Sequence, residues 1–531
     1  MKKFLLSAVI LLAISTIAVA QDWSMVNYDN SMSRNSPQTV IGKDNVGQLQ
    51  VKWILNTGSV IEDSPLVVGK TGYVQNNAYK VIAFDMDTGL NKWKYDPKTK
   101  MPAPSHGITY DNGVIYAPTG PNGTIIALDA ENGTKIWESA DLQPAVESFI
   151  LTAPPLVWKD YVIAGAAFGD SPLYGATKGT ATALDKKTGK IIWQINTTTG
   201  DWVTGKNASV NGGADPWSGG AIDTDKGIVY LPCGNPAPDF DASTRPGETL
   251  YANHVIAVNI SDGKILWATP FVAAGSVLNV TIPDTHDWDT DWGTNLVTVD
   301  FGKGPEKIVI GHCKRGDIMA MDQATGKPIW WVNVAVLYRE NVQAMPNGSG
   351  PVWPGTSDGI EAYSAFDKNN VYVAVTNRGM NFFSRPGEGH AEPAFESLPN
   401  GIGNGSITAI DLKTGKIKWA HKTDFPTWVS PLVTNGVVFS GTITAVGNNE
   451  TGVPYYPFTT YGGPIDTPLI DSGILRALDA STGKELWEFN VGAPVGIGGP
   501  SITYGMLLVP TGHGQTANKG GYIVAFGLPK K

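Results

Sequence analysis

Cysteine is almost absent, with Cys233 and Cys313 the only two in 531 residues. A fold this size with two thiols does not depend on a disulfide framework. Neither cysteine belongs to a C-x-x-C-H sequence, which excludes a covalently attached c-type haem within this chain. Basic charge is also short: Lys and Arg number 39 against 48 Asp and Glu, a net charge of −9. With no basic cluster to offset it, that balance argues against a nucleic-acid partner. The stretches between strand-like segments show no helical periodicity, which disfavours a helical solenoid. The H-E-x-x-H sequence of zinc hydrolases does not occur.

What the chain does have is a sentence of eleven residues repeated seven times. It begins on Ala, usually has Asp two residues later, Gly six later and Trp ten later. Examples are AFDMDTGLNKW from Ala83 to Trp93, ALDKKTGKIIW from Ala183 to Trp193 and ALDASTGKELW from Ala477 to Trp487; the others begin at Ala127, Ala257, Ala320 and Ala409. Each reads as a β-hairpin, with an Asp/Asn-x-Thr-Gly turn whose glycine supplies the positive φ. A second strand pattern lies between the hairpins, as in DNGVIYAP at 111–118 and KGIVYLP at 226–232. Two hairpins per unit make a four-stranded blade. Repeats of this kind stack or close radially, and here closure into a ring is favoured.

An eighth unit is implied by GYIVAFGL at 521–528, which ends before a Trp, and the segment near Trp23 to Arg34 is expected to complete it. The expectation is an all-β, eight-bladed β-propeller with tryptophan-docking repeats, forming one domain over residues 21–531. The repeat Trp packs between neighbouring blades and the repeat Asp bonds its own turn, so none of these positions is a candidate site. Residues 1–20 carry two lysines, an apolar run and Ala18-Val19-Ala20, the pattern of a cleaved secretory signal peptide too short for a retained anchor. An exported protein, periplasmic or extracellular, is expected, with no integral membrane segment after cleavage.

The candidate chemistry interrupts the repeats. Thr285 to Gly293 reads THDWDTDWG, with Asp287, Asp289 and Asp291 at alternate positions. In an extended segment alternation aims carboxylates one way, and like charges that close call for a cation or a shared proton. A hard metal with oxygen ligands meets that demand, though an exposed acidic loop would read alike. CGNPAPDF from Cys233 follows the strand KGIVYLP, so Asn235 emerges at a strand end with a neutral amide oxygen. GGADPWSGG from Gly212 frames Trp217 with glycines, which suits stacking on a planar ligand or plain packing.

The A-x-D-x-x-T-G-x-x-x-W repeat, the W-D-x-D segment, G-N-P-A-P after a strand and EDSPLVV at 62–68 together resemble the pyrroloquinoline quinone (PQQ) dependent alcohol dehydrogenases, the methanol dehydrogenase-like quinoproteins. The resemblance covers essentially all of 21–531. It implies that Trp217 is the floor under the quinone, and that Asn235 and Asp289 face the metal with Asp289 also the base for the alcohol proton. It further implies Glu62, Thr152 and Trp428 around the cofactor's rim, Lys314 beside the quinone oxygens, and Asp170 as a metal ligand. Asp291, two residues after the base, matches an extra carboxylate of the lanthanide-using branch, so Ca2+ and a lanthanide(III) both remain open. The implied reaction is oxidation of a small alcohol to its aldehyde. Electrons would pass to a separate, soluble cytochrome c.

Three positions depart from the family pattern. His106 and Gly107 stand where an adjacent cysteine pair forms the quinone's ceiling, Asn112 replaces a cofactor-binding Arg, and Asp215 replaces a Thr or Ser two before the floor Trp. Loss of a carboxylate-binding Arg weakens the hold on a tricarboxylate cofactor. The alternative is a non-catalytic secreted propeller that binds protein or glycan through its long loops at 331–365 and 443–474.

Overall fold

The computed structural model describes residues 22–99, 103–142, 150–165, 179–198, 212–237, 251–271, 288–290, 292–338, 349–355, 358–383, 394–397, 403–443, 473–512 and 520–530. The expected signal peptide lies outside them. Eight antiparallel sheets of four blade strands follow one another along the chain. The first strand of each sheet is innermost and the fourth outermost, as burial shows: Leu66–Val68 is buried whereas Asn91–Tyr95 is largely open to solvent.

Numbered in chain order, the inner strands of blades 1 to 4 are Leu66–Val68, Thr109–Asp111, Leu156–Trp158 and Ala221–Asp223. Those of blades 5 to 8 are Asn295–Asp300, Ala365–Phe366, Leu432–Thr434 and Ser501–Thr503. All seven repeats form the third and fourth strands of a blade, with the Ala directly opposite the Trp and a one-residue bulge just beyond, as at Ala83 and Trp93. The bulge turns the indole toward the next blade.

The eighth blade is assembled from both ends of the chain. Ser501–Thr503, Met506–Gly512 and Gly520–Gly527 pair in sequence, and Gln50–Asn56 adds the outer strand. Ala525 faces Trp53 there as Ala83 faces Trp93 elsewhere. The completing strand is therefore Gln50–Asn56, which carries the docking ring, and not the Trp23–Arg34 segment expected from the sequence. That segment is buried on the inner side of the ring instead. Its carbonyls accept from Val67, Tyr110, Ile222, Leu296, Phe366 and Val433, on the inner strands of blades 1, 2, 4, 5, 6 and 7. Asn35–Ser36 then pairs in parallel with Leu432–Thr434. Arg34, fully buried, also donates to the Pro500 carbonyl beside blade 8. Alternation is absent from these residues because the backbone, and not one face, makes the contacts.

Seven tryptophans dock alike. Trp93 donates its indole N–H to the Ala130 carbonyl at 3.0 Å, and Trp53, Trp137, Trp193, Trp267, Trp330 and Trp419 do the same to the following blade. Each ring also packs against that blade's turn glycine. Trp487 is the exception, packing edge-on against Phe526 at 5.6 Å. Blade 8 has no turn between its third and fourth strands, since these are the two ends of the chain, so no turn glycine awaits that indole.

Gly133 combines a φ of +75° with an indole so close that a methyl would sit 2.6 Å from Trp93, while Gly113, at φ +85° in the same blade, has open space. Gly113→Ala is expected to cost about 1–2 kcal/mol for the left-handed backbone alone, and Gly133→Ala at least about 2 kcal/mol more as the indole is displaced. Denaturant melts of the pair check this, and equal losses would refute a glycine requirement set by docking.

Candidate functional site

The segments leading into the inner strands line the inside of the ring, and candidate side chains recur at one register in them. Glu62, Thr152, Trp217 and Trp428 each stand four residues before an inner strand, those beginning at Leu66, Leu156, Ala221 and Leu432. The ring thus converts residues up to several hundred apart in sequence into neighbours around one axis.

The Trp217 and Asn235 segments are joined by a short ladder. Gly212–Gly213 pairs with Pro236–Ala237, Ala214 N–H donates to the Asn235 carbonyl at 2.7 Å, and Gly234 N–H donates to the Asp215 carbonyl at 3.0 Å. From Gly213 to Gly220 every residue is buried except Trp217, which is half-buried. A large ring left partly open in an otherwise closed segment is an uncovered aromatic face. Gly234 separates it from the acid: a methyl there would lie 2.8 Å from Asp289 Oδ1 and 3.1 Å from Trp217 Nε1.

Asp289 is 2% exposed and fully engaged on both oxygens. Oδ1 accepts the Asn235 backbone N–H, and Oδ2 pairs with Lys314 Nζ at 2.7 Å. Lys314 N–H donates to the Asp289 carbonyl at 3.0 Å, and Thr290 bridges Cys313, so the two segments are clamped through backbone as well. The ammonium also lies 6.0 Å from the Trp217 ring centroid, within cation–π range. Asn235, Asp289, Lys314 and Trp217 therefore meet at one place, as their sequence motifs suggested.

Around this centre, Thr152 Oγ1 and His106 Nδ1 both donate to the Trp217 carbonyl, at 2.9 and 3.2 Å. The His106 ring packs 5.1 Å from that of Trp217 and 4.6 Å from that of Trp292. Glu62 accepts from Asn77 Nδ2 at 3.2 Å. Trp428 belongs to the same buried cluster as Trp217 and Trp292, with the Arg378 guanidinium 5.4 Å from its ring centroid. Next to Glu62, burial pushes the Asp63 carboxyl well above the usual carboxylate range, against opposing bonds from the Gln75 and Ser64 backbone. Asp170 and Asp291 lie outside the described residues. Among those described, no three His, Cys, Asp or Glu side chains surround a common point.

Several other side chains have structural surroundings. Cys233 and Cys313 are buried free thiols, and burial raises the Cys233 pKa. His312 is buried with neither ring nitrogen bonded, and burial lowers its pKa to about 3. Gly355 to Gly359 reads G-T-S-D-G, the pattern of a serine-hydrolase elbow. Asp358 there accepts the backbone N–H groups of Gly355, Arg378 and Gly379, and a strand follows at Ala365–Phe366 instead of the helix such an elbow requires.

Residues 23–344 match the family described as Glucose/ethanol/alcohol dehydrogenase, beta-propeller domain, the PQQ family. The chain belongs to the PQQ-dependent dehydrogenases. Within this family the chain is 24% identical to quinoprotein alcohol dehydrogenase PedH of Pseudomonas putida, the match covering 94% of this chain and 89% of that one. It is 26% identical to the lanthanide-dependent methanol dehydrogenase of Methylorubrum extorquens, over 90% of this chain and 84% of the relative. The quinohemoprotein alcohol dehydrogenase of Comamonas testosteroni has the same fold, with a TM-score of 0.77 at 22% identity, covering 97% of this chain and 83% of that one. The class is that of the quinoprotein alcohol dehydrogenases. No helix among the described residues is long and apolar enough to cross a membrane.

The residues present fit a quinoprotein's cofactor and cation. A half-open indole face suits a planar ring, a buried ammonium at its edge suits anionic oxygens, and Asn235 with Asp289 offers buried oxygen donors of the type hard cations take. Of this set, the repeats carried no trace. His106 as a brace for Trp217, and the contacts of Lys314, are tertiary facts with no local pattern to announce them.

Proposed function

We propose that the chain oxidises a small alcohol to its aldehyde using PQQ and a bound Ca2+ or lanthanide(III). The observation that carries this reading is the buried Asp289 carboxylate held by Lys314 beside the half-buried ring of Trp217. When bound, PQQ supplies the two-electron acceptor and the cation supplies Lewis acidity at its carbonyl. Trp217 is the floor for the ring, while Glu62, Thr152 and Trp428 hold its rim. Asn235, Asp289, Asp170 and Asp291 are the residues for the cation.

Asp289 takes the hydroxyl proton of the alcohol. Its contacts with Asn235 N–H and the Lys314 ammonium hold the carboxylate in one orientation for that step. The Lys314 ammonium then balances negative charge developing beside it. Electrons leave to a separate soluble cytochrome c, since the chain has no haem attachment sequence, and the setting is periplasmic or extracellular.

Titrating the protein with PQQ and either calcium or a light lanthanide tests this directly. Quenching of tryptophan fluorescence, quinone absorbance after desalting and alcohol-dependent dye reduction are the expected results with at least one metal. Silence in all three with both metals would favour the non-catalytic propeller, which the altered residues His106, Asn112 and Asp215 would then explain.

A further inference from the structure

Among the described residues, two carboxylates face Lys314. Its Nζ lies 2.7 Å from Asp289 Oδ2, on the blade 5 side, and 3.7 Å from Glu361 Oε1, on the blade 6 side. The three side chains are 10%, 2% and 12% exposed, so water screens little of the attraction. Glu361 also falls in the register already seen for Glu62, Thr152, Trp217 and Trp428, four residues before an inner strand, here the one beginning at Ala365. Backbone packing fixes the arrangement. Ile360 N–H donates to the Cys313 carbonyl at 3.4 Å, and a methyl on Gly359 would collide with the Lys314 carbonyl. The Cys313–Lys314 segment is thus held between the lead-in segments of two blades, with a carboxylate reaching the ammonium from each.

We propose that Glu361 is a positioning residue for Lys314, the second anchor that keeps the ammonium in the site when Asp289 is occupied by chemistry. The inference rests on the quinoprotein reading for its catalytic consequence, though not for the contact itself. In that reading Asp289 serves a cation and accepts the alcohol proton. Engaged with the cation and the alcohol, it has less to offer Lys314, at the moment when negative charge develops nearby and the ammonium is needed. A lysine held by one carboxylate would be released on its flexible four-carbon stem. A second carboxylate that takes no part in proton transfer removes that dependence. Glu361 thereby separates the two duties that Asp289 would otherwise combine, taking the proton and holding the cation.

The test uses the whole chain loaded with PQQ and metal. Glu361→Gln is expected to lower kcat about 10-fold, the scale of a modest misplacement of a catalytic group. KM for the alcohol and the PQQ concentration that half-quenches tryptophan fluorescence should stay within about twofold. Glu361→Asp should recover most of the loss. In a Lys314→Met background, Glu361→Gln should change kcat by less than about twofold, since there is no ammonium left to hold. A kcat for Glu361→Gln equal to that of the unaltered protein, or a full further loss in the Lys314→Met background, would overturn the proposal.

Acylation of Lys314 by an amine-reactive ester, followed by peptide mass, reads the anchoring without cofactor. It should run several-fold faster in Glu361→Gln and at an unaltered rate in Glu361→Asp. Equal rates in the unaltered and Gln proteins would refute the anchor even if PQQ failed to bind. Failure of PQQ to quench the unaltered protein would instead refute the quinoprotein reading, leaving the acylation rates to decide the contact.

Discussion

Asp289→Asn is expected to lower alcohol turnover by about a thousand-fold, the middle of the range for removing a general base, while PQQ still quenches tryptophan fluorescence. The amide is nearly the shape of the acid but accepts no proton at neutral pH and offers a weaker donor to a cation. Its carbonyl can still accept the Asn235 N–H, the contact made by Oδ1. Among the described residues, the Lys314 ammonium would keep Glu361 as its carboxylate partner, since Oδ2 is its nearer one at 2.7 Å. Losing one member of a buried pair costs about 3–5 kcal/mol when the other is stranded, and less here because Glu361 remains. Folding should therefore survive, which far-UV circular dichroism and a thermal melt would check. Turnover within tenfold of the unaltered protein would remove Asp289 from the role of base.

Arg34→Met should produce the largest loss of stability of any single change away from the site, at least about 4 kcal/mol. The guanidinium is wholly buried, and its donors are all used. Nε donates to the Pro431 carbonyl at 2.6 Å; Nη1 reaches the Val26 carbonyl at 3.0 Å and Asn27 Oδ1 and Ser64 Oγ at 3.1 Å; Nη2 reaches the Pro500 carbonyl at 3.0 Å. Burial pushes its pKa down to about 9 against the opposing pull of Tyr363 and Asp63. Fixed acceptors on several sides nevertheless keep the charged fork in place. Methionine fills much of the volume but leaves these carbonyls without donors, each a desolvated polar group. Urea melts give the magnitude, and hydrogen exchange at residues 23–36 should accelerate before that of the outer strands. A melt within about 1 kcal/mol of the unaltered protein would show that Arg34 holds nothing together.

How much could be read from the sequence follows from how local each feature is. The blade is local: Ala83 and Trp93 are ten residues apart and face each other, so the pattern repeats where the hairpin repeats. Blade 8 hides the same pair, because Ala525 and Trp53 sit at opposite ends of the chain. The Trp23–Ser36 segment was legible only as something left over, since backbone carbonyls make its bonds and leave no side-chain period behind. Trp217 stood out by its glycine frame, and its ring is half-buried in the structure. Asn235 and Asp289 stood out by resemblance, and their contact confirms that they are neighbours without assigning them tasks. Glu361 gave no sign at all. Its carboxylate matters only beside Lys314, a meeting created where two blades press together.

The split blade makes ring closure depend on strands from either side of the seven repeats. Gln50–Asn56 precedes all seven repeats, yet its only ladder partner in the described structure, Gly520–Gly527, follows all of them. A product that stops short of that strand leaves Gln50–Asn56 as a bare edge and the ring unsealed, with Trp53 undocked. Exposed edges of that kind are what proteases and chaperones recognise. Ring closure thus waits for a strand that follows all seven repeats.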